Sequence, residues 1–216
     1  VFFTGAGIST GSGIPDFRSA DGLYSAPGIG GRSPEYMLSN TCLYAHEEAF
    51  FQYLRDKMDF RGAKPTIAHQ RICELQQARD VSVITQNIDG LHQKAGSKAV
   101  YELHGSVLRN YCVKCGKFYS AEFVKNHPDV PRCECGGIVK PDVVLYEESL
   151  DGNTIEGAVR AIQSADLLII AGTSLTVYPA AGLVNYYRGN RMVLINRDAT
   201  PYDNQADLVF HQSLGE

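Results

Sequence analysis

No dense run of lysine and arginine interrupts this 216-residue chain: 20 basic residues stand against 24 acidic ones, a formal net charge of −4. Without a basic patch, nucleic acid is a poor first choice of partner. Long hydrophobic runs are missing as well. A stretch such as Asp166 to Ala171 falls far short of the roughly 20 residues a membrane helix needs, and nothing reads as a signal peptide. Internal repeats and low-complexity segments are also absent. What remains is a globular chain, 44% hydrophobic and 20% charged, expected to be cytoplasmic, with no membrane partner. Val1 opens inside what reads as a buried strand, so a fragment clipped at the N-terminus is expected. Six cysteines in a reducing compartment argue against a disulfide framework, and four of them crowd between Cys112 and Cys135, which points to metal.

Val1 to Thr4, Val81 to Thr85, Asp166 to Ala171 and Arg191 to Ile195 read as short buried strands. Between them lie helical patterns over Ala45 to Met58, Thr66 to Arg79 and Thr154 to Ser164, the second placing Ile67, Ile72, Leu75 and Ala78 near one face. The alternation predicts an α/β fold, a Rossmann-like parallel sheet with helices on both faces, whose ligands sit at the carboxyl ends of its strands. Two insertions break the alternation. Residues from Ser25 to Lys64 read as a loop followed by helices, and those from Arg109 to Pro141 carry the cysteines.

The first strand runs into Gly5-Ala6-Gly7, a G-x-G whose third glycine is displaced: Thr10 holds its place and Gly11 follows one residue late. Gly5 and Gly7 permit close approach to a pyrophosphate, and Ser9 or Thr10 can start a helix whose amides face the anion. No Gly-Lys-Ser/Thr follows, which excludes a P-loop. No acid lies about 20 residues on to hold a ribose, as a dehydrogenase needs. Ser174 and Asn196, at late strand ends, are better placed for the adenosine half. Phe17 and Arg18 suit a nicotinamide cover and a phosphate clamp, or equally a packed ring and a surface cation. The loop alone leaves nucleotide binding and a structural turn both open.

Cys112-x-x-Cys115 and Cys133-x-Cys135 offer four thiolates from two knuckles, each followed by a glycine, Gly116 and Gly136. Four protein sulfurs close a tetrahedral Zn²⁺ site, so one structural ion is expected and not a hydrolytic centre. Cys42 and Cys73, in apolar surroundings, read as packing residues.

Taken together, Gly5-Ala-Gly-Ile-Ser-Thr10, Ser12-Gly-Ile-Pro-Asp-Phe-Arg18, Thr85-Gln-Asn-Ile-Asp-Gly-Leu-His92, Glu102-Leu-His-Gly105, the cysteine module, Lys140-Pro-Asp-Val-Val144 and Gly172-Thr-Ser174 resemble the sirtuins, in that order and over essentially the whole chain. The likeness is to compact bacterial members. It implies an NAD-dependent protein lysine deacylase that transfers the acyl group from lysine to ADP-ribose and releases nicotinamide. In this family the acyl-lysine oxygen attacks the ribose carbon bearing nicotinamide, and a histidine then acts as base on the ribose hydroxyls. Carried onto this chain, His104 is the base. Asp89, Ile88 and Phe17 form the nicotinamide pocket, and Gln86 and Asn87 line the ribose region. Gly5, Ala6, Gly7, Thr10 and Arg18 lie along the cofactor, while Gly172, Thr173, Ser174 and Asn196 hold the adenosine half. His92 is expected to support the loop. Residues 1–24, 65–108 and 142–216 then form the NAD-binding domain, 25–64 the cofactor loop and helical insertion, and 109–141 the zinc module.

The family's peptide lies between the two parts, and Val144, Tyr146 and Val177 are placed to line its acyl tunnel. Where many members read Phe-Gly-Glu, this chain has Tyr146-Glu147-Glu148, and the added carboxylate is expected to favour basic substrate flanks. A desuccinylating branch carries Tyr-x-x-Arg where this chain has Phe51 and Leu54, so acetyl is expected over succinyl. Competing readings are a mono-ADP-ribosyltransferase using the same pocket and a zinc-ribbon module that binds NAD only as a ligand.

Overall fold

A computed structural model describes residues 1–16, 22 and 29–215. In chain order its elements are β1 (Phe2–Thr4), α1 (Pro34–Met37), α2 (Asn40–Ala45), α3 (Glu47–Lys57), α4 (Ile67–Ala78), β2 (Val83–Thr85), α5 (Leu91–Lys94) and β3 (Val100–Glu102). There follow β4 (Gly105–Cys112), β5 (Phe118–Ser120), α6 (Ala121–Asn126), β6 (Val139–Val143), α7 (Gly152–Gln163), β7 (Leu168–Ala171), β8 (Met192–Ile195) and β9 (Leu208–Phe210).

Six strands form a parallel sheet in the order β3-β2-β1-β7-β8-β9. Strands this short and apolar on both sides must be covered on both faces. Phe3, Ile84, Ile170 and Leu194 pack against Ala158 and Ile162 of α7 on one face. Phe2 and Val83 meet Ile72 of α4 on the other. The chain leaves β1 for β2 and β3 on one side and later adds β7 on the other, which opens a crevice at the strand ends between β1 and β7.

A second, antiparallel sheet, β5-β4-β6, draws on residues from 105 to 143. It shares one hydrophobic core with α3: Phe50, Phe51, Leu54 and Met58 pack with Val107, Val124, Ile138 and Val139. The helical insertion and the cysteine-bearing segment therefore act as one packing unit. Arg109 on β4 ties it to the large sheet by donating to Glu102 at the end of β3 (2.7 Å) and to Asp142 on β6 (2.9 Å).

The helix read over Ala45 to Met58 forms as α3 (Glu47–Lys57), set off from α2 at His46, whose backbone (φ −143°, ψ 56°) leaves the helical region. Two expectations are corrected. Among the described residues no regular helix follows the glycine loop; two single 3₁₀ turns, Ala6–Ile8 and Thr10–Ser12, stand there. Helix α4 does form, with Thr66 as its N-cap, but Ile67 and Leu75 are exposed. Its inward stripe is His69, Ile72, Cys73 and Gln76, the i, i+3, i+4, i+7 spacing of a packed face. Gln76 is satisfied locally, whereas His69 bonds through Nδ1 and its buried Nε2 has no hydrogen-bond partner among the described residues. The Thr66 amide donates to His69 Nδ1 (3.2 Å), and Gln76 donates to the Val81 carbonyl (2.9 Å) while accepting from the Lys98 amide (3.1 Å). Among the described residues no helix is long and apolar enough to cross a membrane.

His69 packs edge-on against His92 of α5, ring centroids 4.6 Å apart, and His92 Nε2 meets the Thr4 hydroxyl at 3.0 Å. Burial pushes His69 down to about 4, against the pull of Asp89; burial and then the neighbouring His69 push His92 down to about 3. Both imidazoles thus take up protons in the unfolded chain before they do so in the folded one. Stability should be level above about pH 6.5 and fall as the pH drops below it, before most carboxylates titrate. Thermal melts between pH 7.5 and 5 check this. A melting temperature that falls below pH 6.5, less steeply in His92→Gln, is expected; one that rises contradicts it.

Candidate functional site

The loops after β1 and β7 touch backbone to backbone. A Cβ on Gly5 would lie 2.6 Å from the Thr173 Cβ, and one on Gly7 2.8 Å from the Gly172 Cα. The Gly7 amide donates to the Gly172 carbonyl at 2.8 Å. Only glycine allows this approach, and it forms the floor of a cavity of about 510 Å³, a size typical of a small-molecule site.

Most of the residues singled out from the sequence line this one cavity: Gly5, Ala6, Gly7, Thr10, Gln86, Asn87, Ile88, His104, Gly172, Thr173, Ser174 and Asn196, together with Val144, Tyr146 and Val177. Phe17 and Arg18 lie outside the described residues. Asp89 is buried behind the wall. One carboxylate oxygen accepts from the Ser9 hydroxyl (2.6 Å) and the other from the Leu91 amide (2.9 Å).

The same network fixes the polar groups at the end of β2. Asn87 Nδ2 donates to the Gly5 carbonyl (3.1 Å) and to Ser9 Oγ (3.0 Å), so both its protons are used and its Oδ1 is the atom left for a ligand. Gln86 Nε2 donates to Thr173 Oγ1 (2.9 Å), stitching the β2 end to the β7 end across β1.

His104 follows β3 and precedes β4, at the junction of the two sheets. Its carbonyl accepts from the Val144 amide (3.1 Å). Its Nδ1 stands 2.8 Å from the Gln86 carbonyl. A carbonyl only accepts, so Nδ1 carries the proton and Nε2 the lone pair. Burial holds the imidazole below its usual value, against the Gln86 hydrogen bond. The ring is therefore neutral at pH 7, with one basic nitrogen: what a general base requires.

Sequence reasoning missed the side chains that complete the lining. Asp16, Leu38 and Gln212 border the cavity without belonging to a strand-end motif, and only the folded chain brings them there. The two glutamates after Tyr146 are both engaged within the chain. Glu147 accepts from the Thr41 amide and hydroxyl (2.8 Å each). Glu148 accepts from Asn40 (2.8 Å), Lys140 (3.0 Å) and the Leu145 amide (2.9 Å). The carboxylate expected to stand beside the peptide groove as a free charge has partners of its own.

Away from the cavity, the sulfur atoms of Cys112, Cys115, Cys133 and Cys135 all lie within 4.8 Å of one another. The Cys112–Cys135 and Cys115–Cys133 pairs stand at 3.4 and 3.6 Å. Tetrahedral zinc with Zn–S near 2.3 Å requires S···S of about 3.8 Å, whereas a disulfide requires about 2.05 Å. The arrangement fits the metal and excludes the bond. The Gly116 and Gly136 amides close the knuckle turns onto the carbonyls of Cys112 and Cys133. Both glycines have left-handed backbones (φ 72° and 81°), so the shortened C-x-C knuckle still closes.

The Sir2 family model matches residues 5–179. NAD-dependent protein deacetylases from Clostridium acetobutylicum and Cutibacterium acnes are 56% and 54% identical to this chain, in each case over 100% of it and 89% of the relative. A solved Sir2 structure with p53 peptide and NAD⁺ superposes with a TM-score of 0.86 at 38% identity, covering 99% of this chain and 88% of the other. Another, of Sir2 bound to acetylated peptide, does so with 0.86 at 37%, covering 98% and 87%.

Metal analysis checks the cysteine cluster. The purified protein should carry about one zinc per chain, and Cys133→Ser should lose it and lower the melting temperature, because metal binding and folding of such a module are coupled. A metal-free wild type that melts at the same temperature as the zinc-loaded protein would contradict a structural site.

Proposed function

This chain belongs to the Sir2 family and is an NAD-dependent protein deacetylase; we propose that His104 is its general base and that the cavity around it seats NAD beside an acetyl-lysine peptide. The observation that carries the assignment is the Nδ1 contact to Gln86, which leaves a neutral His104 with its basic Nε2 in the cavity that the glycine loop floors. NAD supplies a nicotinamide–ribose bond that can be broken and a ribose that accepts the acyl group.

The chain supplies the seats. The Gly5 to Gly7 backbone, Ala6 and Thr10 lie along the pyrophosphate, and Thr173, Ser174 and Asn196 take the adenosine half. Asn87, with its amide protons used internally, presents Oδ1 to the ribose. Ile88 covers the nicotinamide face, and Asp89 holds the Ser9 turn beside it while keeping lone pairs for the carboxamide. Arg18 and Phe17 belong to the same reading on sequence grounds. His104 Nε2 would take the proton from a ribose hydroxyl, the group NAD would supply to receive the acyl group once nicotinamide has left and as the lysine amine is released. Its lowered pKa keeps Nε2 free to do so at neutral pH.

Val144, Tyr146 and Val177 border the acyl-lysine channel, and Leu54 lines its inner part. The zinc module, residues 109–141, is structural, and four thiols that must stay reduced to hold zinc suit a cytoplasmic setting. In this reading the NAD-binding domain is 1–24, 65–108 and 142–216, and 25–64 is the cofactor loop and helical insertion. ADP-ribosyl transfer to protein would need the same NAD seat, and no feature of the site favours it.

His104→Ala should keep NAD and peptide binding while deacetylation, followed as the mass change of an acetyl-lysine peptide, falls by about 10²–10⁴-fold. Loss of less than about tenfold would remove His104 from the chemistry. Acyl preference is a separate test. Phe51 is buried, Leu54 is apolar, and among the described residues lining the cavity the only Arg or Lys is Arg197, beside Asn196. A succinyl carboxylate would be desolvated near Leu54 without a partner. Acetyl-peptide should therefore turn over faster than succinyl-peptide, and the reverse order would contradict this placement of the channel.

A further inference from the structure

Among the described residues two that are not glycine have left-handed backbones, Glu147 (φ 74°) and Leu175 (φ 54°), and both belong to segments that line the cavity. A side chain is disfavoured in that conformation, and glycine would take it freely. Glutamate at 147 therefore needs a compensating contact, and helix α2 provides it.

Helix α2 begins with backbone amides that no carbonyl within the helix can satisfy. The Asn40 amide donates to the Tyr146 carbonyl (3.1 Å), the Thr41 amide to Glu147 Oε2 (2.8 Å), and the Cys42 amide to Ser39 Oγ (3.0 Å). Two of the three partners come from the cleft wall. The Thr41 hydroxyl adds a second bond to the same Glu147 oxygen (2.8 Å), and the Tyr146 amide donates back to the Leu38 carbonyl (3.0 Å). The wall segment and the first turn of α2 thus cap each other. Glu148 anchors the inner side of this contact through Lys140, Asn40 and Leu145. Glu147 closes its exposed outer side.

We propose that Glu147 is a positioning residue for the peptide substrate: by holding Thr41 it fixes the Val144 to Tyr146 wall against helix α2 and so sets the affinity for acyl-lysine. The inference rests on the deacetylase reading of the cleft. It differs from a direct role of this carboxylate toward basic substrate flanks, in which the charge itself and not the bond to Thr41 would matter.

Glu147→Gly relaxes the backbone and deletes the carboxylate; Glu147→Gln keeps an amide oxygen that accepts from Thr41. Both are compared with the wild type at saturating NAD on two acetyl-lysine peptides, one with basic and one with neutral flanks. Amide hydrogen exchange is followed at Asn40 and Tyr146. Glu147→Gly should raise the peptide KM about tenfold on both peptides, with kcat within about twofold, the pattern of lost substrate binding without lost chemistry. Exchange at Asn40 and Tyr146 should quicken in the same variant, and Glu147→Gln should restore most of both effects. An unchanged peptide KM in an active series overturns the role. A loss confined to the basic peptide, and equal in Glu147→Gln, overturns it in favour of direct charge contact. A wild type inactive on both peptides overturns the deacetylase reading, and the peptide role with it.

Discussion

Gly5, Gly7 and Gly172 bring the loops after β1 and β7 into backbone contact, and the site is organised around that contact. A Cβ on any of the three would sit within 2.8 Å of a neighbouring heavy atom, so a larger residue would force apart the two strands that flank the crevice. Parallel strands that diverge in connection at this point leave their carboxyl ends open to a ligand. The glycines set how shallow that opening is and which backbone amides face it.

A polar network holds the remaining groups to that floor. Ser9 links Asp89 and Asn87, Asn87 reaches the Gly5 carbonyl, and Gln86 crosses to Thr173 while its own carbonyl orients His104. Hydrogen bonds from the adjacent Gln86 and Asn87 thus fix the floor, the tautomer of His104 and the free atom of Asn87. His104 also stands where the large sheet meets the smaller one, braced by Val144 on one side and by the Glu102–Arg109–Asp142 ion pairs on the other. A change in how the two sheets sit would therefore move His104 and Val144 together.

Much of this was legible in the chain itself. The strand ends carried the chemistry because glycine, amide and hydroxyl residues stand directly after apolar runs, as at Thr4-Gly5 and Thr85-Gln86. The cysteines announced their site because four thiols at that spacing have few other uses. What escaped was set by tertiary contact. The inward face of α4 carries His69 and Gln76, polar residues that an apolar period does not detect. The partnership of Glu147 with Thr41, 106 positions apart, follows from the fold and from no local motif.

The most direct measurement is nicotinamide release from NAD by the wild-type protein, with and without an acetyl-lysine peptide, with the other products identified by mass. One cavity lined by the glycine loop, His104, Val144 and Tyr146 predicts release that depends on the peptide and yields deacetylated peptide with O-acetyl-ADP-ribose. Release that proceeds equally without peptide, with ADP-ribose appearing on protein, would contradict it.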